Sequence, residues 1–286
     1  MERRTFRAMG TDVELLIDSP ASAETDLALA AAEREIARLE DLLSRFREDS
    51  ELSRLNRRGT LQAGPDLVRV TQLAIEARVR THGRFDPTVH DAVRAAGYDR
   101  SFEHVEGRIA PAAAPVRCGG GIAVDSEAGV IELDTGARLD LGGIAKGYAV
   151  DRACDVLAQA GPCLVDAGGD MAMRGGRWPV GVETHGGVIT LELSGGAVAT
   201  SGVDRRRWLT ATGEAHHLID PRAGRPADSD LLRVTVVADS AANAEVLATS
   251  LFLAGAEQAE VEADELGAPA VLVTTDGRTV LAGGLQ

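Results

Sequence analysis

Aromatic residues make up only 3% of this 286-residue chain, which leaves little on which successive nucleic-acid bases could stack. A net charge of -14 and a pI near 4.9 also argue against a nucleic-acid partner, so any basic site must be local. Cysteine is scarce. Cys118, Cys154 and Cys163 are odd in number and lack a metal-binding spacing, so buried thiols are the favoured reading, with a Cys154–Cys163 disulfide left open by spacing alone. No apolar run is long enough for a membrane span, and residues 1–7 lack the apolar centre of a signal peptide, so a cytoplasmic location is expected. A cysteine–histidine cluster for zinc and a G-x-S-x-G elbow are both missing. Without a repeat, a low-complexity tract or a flexible linker, residues 1–286 read as a single domain, or as two subdomains packed closely together.

What is present alternates between helical and extended patterns. Residues 5–17 read as strands around Met9-Gly10-Thr11, and over 26–46 Leu29, Ala32, Ile36, Leu39, Leu43 and Phe46 recur at three and four, which predicts a long core-facing helix. A second helix starts near Pro65 and stops by Gly83; a shorter one runs to Ala96. Short strands are expected over 103–138, then an extended stretch at 137–141, a glycine turn and a helix carrying Ile144, Tyr148, Asp151, Cys154 and Leu157. Further strands follow through Thr200, separated by Gly-Gly pairs. The segment "HHLIDPRAGRPA" reads as a loop, 233–238 as a strand, 241–254 as a helix capped by Ser240, and 256–266 as a last helix. Asp276-Gly277 predicts a type I′ hairpin turn. The fold class is therefore α+β, with mixed sheets and packed helices.

Five stretches could carry chemistry, and most have a bland alternative. In "LDLGGIAKGYAVDRA" the glycine turn would expose main-chain N–H groups at a helix N-terminus, where Lys146 adds a point charge suited to a phosphate; close helix-on-strand packing explains the same glycines. Glu245 and Thr249, four apart on one helix face, offer oxygen to a hard cation such as magnesium, or are merely a rim glutamate and a core threonine. His217 and Asp220, with Arg222, could form a general base and its orienting carboxylate, or an ordinary Asp-Pro turn. Hydroxyls at Thr88, Thr200 and Ser201 lie in similar loops, and Arg205 to Arg207 could pair with phosphate or spread over solvent.

Read in order, "FRAMGTDVELLI", "SRFREDSELSRLN", "FDPTVH", "LDLGGIAKGYAVDRA", "LVDAGGDM", "ATSG", "HHLIDPRAG" and "AANAEVLATSLF" resemble the FAD:protein FMN transferase family, the ApbE-type flavin transferases. The resemblance implies an ApbE-like fold related to the T-fold and an FAD substrate. It implies magnesium, with manganese as an alternative, and an acceptor protein carrying a flavinylation sequence. The implied reaction moves FMN from FAD onto a serine or threonine hydroxyl and releases AMP. A diphosphatase giving free FMN, and a non-catalytic FAD-binding protein, are the alternatives. Carried over by residue, it places Met9, Gly10 and Thr11 at a flavin-facing turn, Asp86 and Thr88 at a nucleotide-facing loop, and Gly142, Gly143 and Lys146 beside the diphosphate. Ser201 and Gly202 join the FAD contacts; Ala145 (through its carbonyl), Glu245 and Thr249 are the implied metal ligands, and His217, Lys146 and Asp220 the catalytic set. Two positions depart from the family pattern. Glu245 stands where A-D-x-x-x-T has aspartate, and "SGVDRRRW" replaces S-G-D-Y/F.

Overall fold

The computed structural model describes residues 1–105, 107–112 and 114–285. In chain order these form β1 (Glu2–Ala8), β2 (Thr11–Ile17), α1 (Ala23–Leu43), α2 (Glu51–Arg58), β3 (Thr60–Gln62), α3 (Pro65–Arg80) and α4 (His90–Ala95). Short strands β4 (Ile109–Ala110), β5 (Ile122–Asp125) and β6 (Val130–Leu133) precede α5 (Ala145–Leu157), β7 (Cys163–Ala167), β8 (Asp170–Thr184) and β9 (Gly187–Gly202). Next come β10 (Arg207–Thr210), β11 (Gly213–His216), β12 (Ile219–Asp220), β13 (Arg225–Pro226) and β14 (Leu231–Ala238). The chain finishes with α6 (Ala241–Ala254), α7 (Ala256–Leu266), β15 (Ala270–Thr274) and β16 (Thr279–Ala282). Two compact units result: one of Met1–Glu40, Ile144–Ser201 and Asp230–Gln286, the other of Asp41–Gly143 and Gly202–Ser229.

The first unit holds an eight-stranded sheet in the order β1-β2-β7-β8-β9-β14-β15-β16. Alternation buries Val13, Leu15 and Ile17 on one face of β2, where they meet Leu29 and Ile36 of α1 and Val150, Ala153 and Leu157 of α5. Each such aliphatic side chain contributes roughly 1.5–3 kcal/mol on burial. Cys154 and Cys163 lie in this core as free thiols, their Sγ atoms 3.7 Å apart. Two hairpins deliver the loops that matter. Met9 and Gly10 join β1 to β2 with φ of 52° and 70°, and Gly168 and Gly169 join β7 to β8 with φ of 65° and 96°. Positive φ at both central residues is the two-residue turn whose twist matches that of the strands. Methionine in that region costs about 1–3 kcal/mol, so the surrounding structure must impose it.

The second unit has three small sheets, ordered β11-β10-β4, β12-β13 and β3-β6-β5. One of its cores gathers Val93, Tyr98, Val105, Trp208 and Ile219. The indole of Trp208 donates to the Ala96 carbonyl at 2.8 Å, so the polar end of this buried ring is satisfied.

Several expectations need correction. Residues 137–141 form no paired strand, because side chains and loops take their main-chain groups: the Asn56 amide bonds both the N–H and the carbonyl of Leu139, and Asp140 N–H donates to Pro87. The first long helix stops at Leu43, and Phe46 instead tilts against Tyr98 at 5.6 Å between ring centres. Apolar periodicity does not announce α2, where Leu52 and Leu55 alone form the buried apolar set; Ser50 caps its start and Gly59, at φ 75°, ends it. Gly195 and Gly196 lie inside β9 rather than between strands, since a Cβ on Gly196 would stand 2.8 Å from the Ala238 carbonyl oxygen. The "HHLIDPRAGRPA" loop contains the short pair β12–β13. Asp276 is not at positive φ, whereas Gly277 is at 97°, and Gly277 N–H returns to the Thr274 carbonyl. That hairpin is therefore a longer loop closed by a glycine, not a type I′ turn.

Candidate active site

In the first unit the segment 144–170 and the start of α6 converge on Lys146. Its ammonium contacts Asp170 Oδ2 and stands 3.8 Å from Glu245 Oε1. The two carboxylates are buried, at 3% and 8% side-chain exposure, while the Lys146 side chain is less enclosed, at 13%. Glu245 Oε2 also accepts the Gly147 N–H at 3.0 Å, placing a carboxylate on the first turn of α5, where the helix dipole favours negative charge. On the next turn of α6, Thr249 Oγ1 shares a 2.9 Å hydrogen bond with Ser201 Oγ.

The glycines around this lysine answer to packing. A Cβ on Gly147 would lie 2.5 Å from the main chain of Ala241, so the crossing of α5 over the start of α6 requires glycine there. Gly142 N–H donates to Asp140 Oδ1 at 2.7 Å, and a Cβ on Gly143 would press on Phe85 at 3.1 Å. At Gly142 and Gly147 the expectation of bare N–H groups is corrected. Both donate to internal carboxylates; Gly147 is buried, where a donor left unbonded is costly.

The other expected residues of the first unit sit in a hairpin and at the start of α5. Met9 and Gly10 form the β1–β2 turn, and Thr11 closes over Gly168, whose Cβ, if present, would meet Thr11 Oγ1 at 2.2 Å. Ala145 opens α5 and is buried. The Gly168-Gly169 turn sets Asp170 as the first residue of β8. Asp170 was not among the sequence candidates; its signal is a carboxylate directly after a strand and a tight glycine pair, in the stretch "LVDAGGDM".

The second unit supplies the rest. Asp86 Oδ1 accepts both the N–H and the hydroxyl of Thr88, Asp86 Oδ2 stands 3.3 Å from Arg78, and Thr88 Oγ1 accepts the Gly119 N–H at 2.7 Å. The two are thus brought together in a buried, self-bonded loop. Gly202 ends β9. His217 Nδ1 lies 3.4 Å from the Arg206 carbonyl, and Asp220 Oδ1 accepts the Arg222 N–H at 2.9 Å, the turn role that Asp-Pro suggests. Nearby, His216 bonds the Ala227 carbonyl through Nε2 at 3.0 Å, and its pKa is lowered chiefly by burial. Burial likewise pushes the Cys118 thiol up to about 11, so it is no nucleophile at neutral pH.

A hard dication wants oxygen ligands in an octahedron. Among the described residues no three histidine, cysteine, aspartate or glutamate side chains gather for a metal, so two carboxylates would need hydroxyl, main-chain and substrate oxygens beside them. The first unit has that chemistry: Asp170, Glu245, Thr249 and Ser201 are oxygen donors, and Asp170 Oδ2 is buried and accepts no hydrogen bond beyond the lysine contact. The donor set fits magnesium.

The sequence pattern of the ApbE family matches residues 9–272. A protein named FAD:protein FMN transferase from Vibrio cholerae is 28% identical over 294 residues, covering 94% of this chain and 86% of that one. One of the same name from Treponema pallidum is 28% identical over 301 residues, covering 92% and 82%. Among solved structures, the ApbE protein of Thermotoga maritima superposes with a TM-score of 0.86 at 26% identity, over 98% of this chain and 96% of that one. The flavin transferase ApbE of Vibrio cholerae shares the fold, with a TM-score of 0.78 at 24% identity over 98% and 97%.

Proposed function

The chain belongs to the ApbE family, and from that premise we propose that it is a metal-dependent FAD:protein FMN transferase that releases AMP. The observation that carries this reading is the Lys146 ammonium held between the buried carboxylates of Asp170 and Glu245 at the start of α5. It is a localised cation in a chain of net charge -14, suited to a substrate diphosphate.

In the proposed reaction the hydroxyl oxygen of an acceptor serine or threonine attacks the FMN-side phosphorus of FAD. The bond from that phosphorus to the bridging oxygen breaks, AMP leaves with the bridging oxygen, and the hydroxyl proton passes to the imidazole of His217. Lys146 neutralises charge on the phosphate oxygens, and positioning supplies most of the acceleration, as expected when attack falls on phosphorus. Magnesium, held by Glu245, Thr249 and the Ala145 carbonyl, would supply Lewis-acid stabilisation of the diphosphate. Met9, Gly10 and Thr11 hold the flavin end in this reading, and Asp86 and Thr88 shape the nucleotide loop.

The test is incubation of the full chain with FAD, magnesium and an acceptor protein bearing a flavinylation sequence, followed by mass spectrometry. Flavin-labelled acceptor with one equivalent of AMP is expected. Free FMN and AMP without label would make the protein a diphosphatase, and intact FAD in a protein that binds it would overturn the enzymatic reading.

A further inference from the structure

We propose that Asp170 is a further metal ligand of this site, added to Glu245, Thr249 and the Ala145 carbonyl, and that Lys146 is a resident counter-ion, released from Asp170 and Glu245 toward substrate phosphate when a divalent cation takes the two carboxylates. What the released ammonium then meets rests on the flavin-transfer reading; the exchange itself does not.

Two buried carboxylates share one ammonium, so the cluster holds more negative than positive charge, an arrangement that low-dielectric surroundings penalise. Glu245 has further relief from the Gly147 N–H and the positive end of α5. Asp170 Oδ2 has the lysine contact and no other hydrogen bond among the described residues. A dication with several oxygen ligands satisfies both carboxylates better than a single ammonium can. A metal–diphosphate pair adds little net charge, so the ammonium can move onto phosphate without leaving the cluster worse compensated.

The residue type supports the same conclusion. Every other member of the chain's 30 lysines and arginines is an arginine. A guanidinium would lock onto a carboxylate as a planar fork, whereas lysine is a compact charge on a flexible stem that can leave one partner for another.

The experiment uses the full chain with Mn2+ alone and no flavin, the free ion being measured by electron paramagnetic resonance. Lys146→Met removes the competing cation and is expected to tighten Mn2+ binding by about 10-fold or more, while Asp170→Asn weakens it by a similar factor. With one lysine in the chain, 13C-lysine labelling leaves a single ε-methylene signal. Magnesium alone should move that signal saturably in the parent protein and leave it in place in Asp170→Asn, a readout that holds even if Lys146→Met fails to fold. A folded Lys146→Met that binds Mn2+ no tighter than the parent, or a lysine signal unmoved by saturating magnesium, overturns the proposal. Flavin transfer with unaltered Mn2+ affinity would refute the exchange and keep the enzyme; tightened Mn2+ binding without transfer would do the reverse.

Discussion

Asp151 Oδ1 accepts the main-chain N–H of Ala241 at 2.8 Å. Its other oxygen accepts the Ala242 N–H at 3.0 Å, so one carboxylate on α5 caps the first turn of α6 from outside that helix, alongside the Ser240 hydroxyl. The elements carrying Lys146 and Glu245 are thereby locked together one turn away from both residues.

Removing that lock should loosen the site as well as the fold. Asp151→Ala leaves two buried N–H groups without their acceptor, and a loss of about 1–2 kcal/mol in urea unfolding is expected. Mn2+ affinity should fall with it, because Glu245 rides on the uncapped helix.

Gly147→Ala tests the close approach of α5 and α6. The added methyl group would stand 2.5 Å from the main chain of Ala241, and because that neighbour is backbone the helices must separate. Destabilisation of about 1–3 kcal/mol is expected. Circular dichroism in urea would show it, and a variant as stable as the parent would mean the two helices are not packed this tightly.

Glu245→Asp restores the residue type usual in the family pattern at this position, and here the structure predicts no benefit. Shortening the side chain withdraws Oε2 from the Gly147 N–H, now 3.0 Å away. A stability loss of about 1 kcal/mol follows from the unpaired donor, and flavin transfer should not rise. A strong gain of turnover would show that the longer carboxylate is a handicap.

Acid sensitivity should have a histidine component. Burial lowers the pKa of His216 below the usual 6.5, its bond to the Ala227 carbonyl opposing the shift. The folded state thus binds a proton less readily than the unfolded chain. The stability this contributes is complete above the unfolded value of 6.5 and is lost as pH falls through the lowered folded value. His216→Gln removes the titration, so the drop in urea midpoint between about pH 7.5 and 5.5 should shrink. His90, also lowered by burial, accounts for part of what remains.

The sequence announced these elements unevenly, for physical reasons. α6 and α7 are legible to the residue because Ser240 and Gly255 punctuate them, and the alternation of β2 shows which face is buried. α2 is short, with little apolar face, and its cap residues look like loop composition. The stretch 137–141 looks like a strand because Leu139 and Leu141 must be buried, but burial there comes without a ladder, the Asn56 amide standing in for a neighbouring strand.

At the site, local order along the chain raised Lys146, Glu245 and Thr249 as candidates beside their bland readings, since a lone lysine after a glycine turn and oxygens four apart on a helix are visible in one dimension. The ordered set of motifs along the whole chain favoured the functional reading. That Asp170 faces the lysine was not visible there, because 24 positions and a hairpin separate them, and only the sheet brings the start of β8 beside the start of α5. The glycines divide in the same way. Their presence was written in the sequence, while their purpose was decided by what approaches them: the backbone of Ala241 at Gly147 and the ring of Phe85 at Gly143. Residue type determines what a side chain can bond. The packing of distant segments determines which bond it makes, because an interior donor or charge must find its partner among whatever the fold has placed within reach.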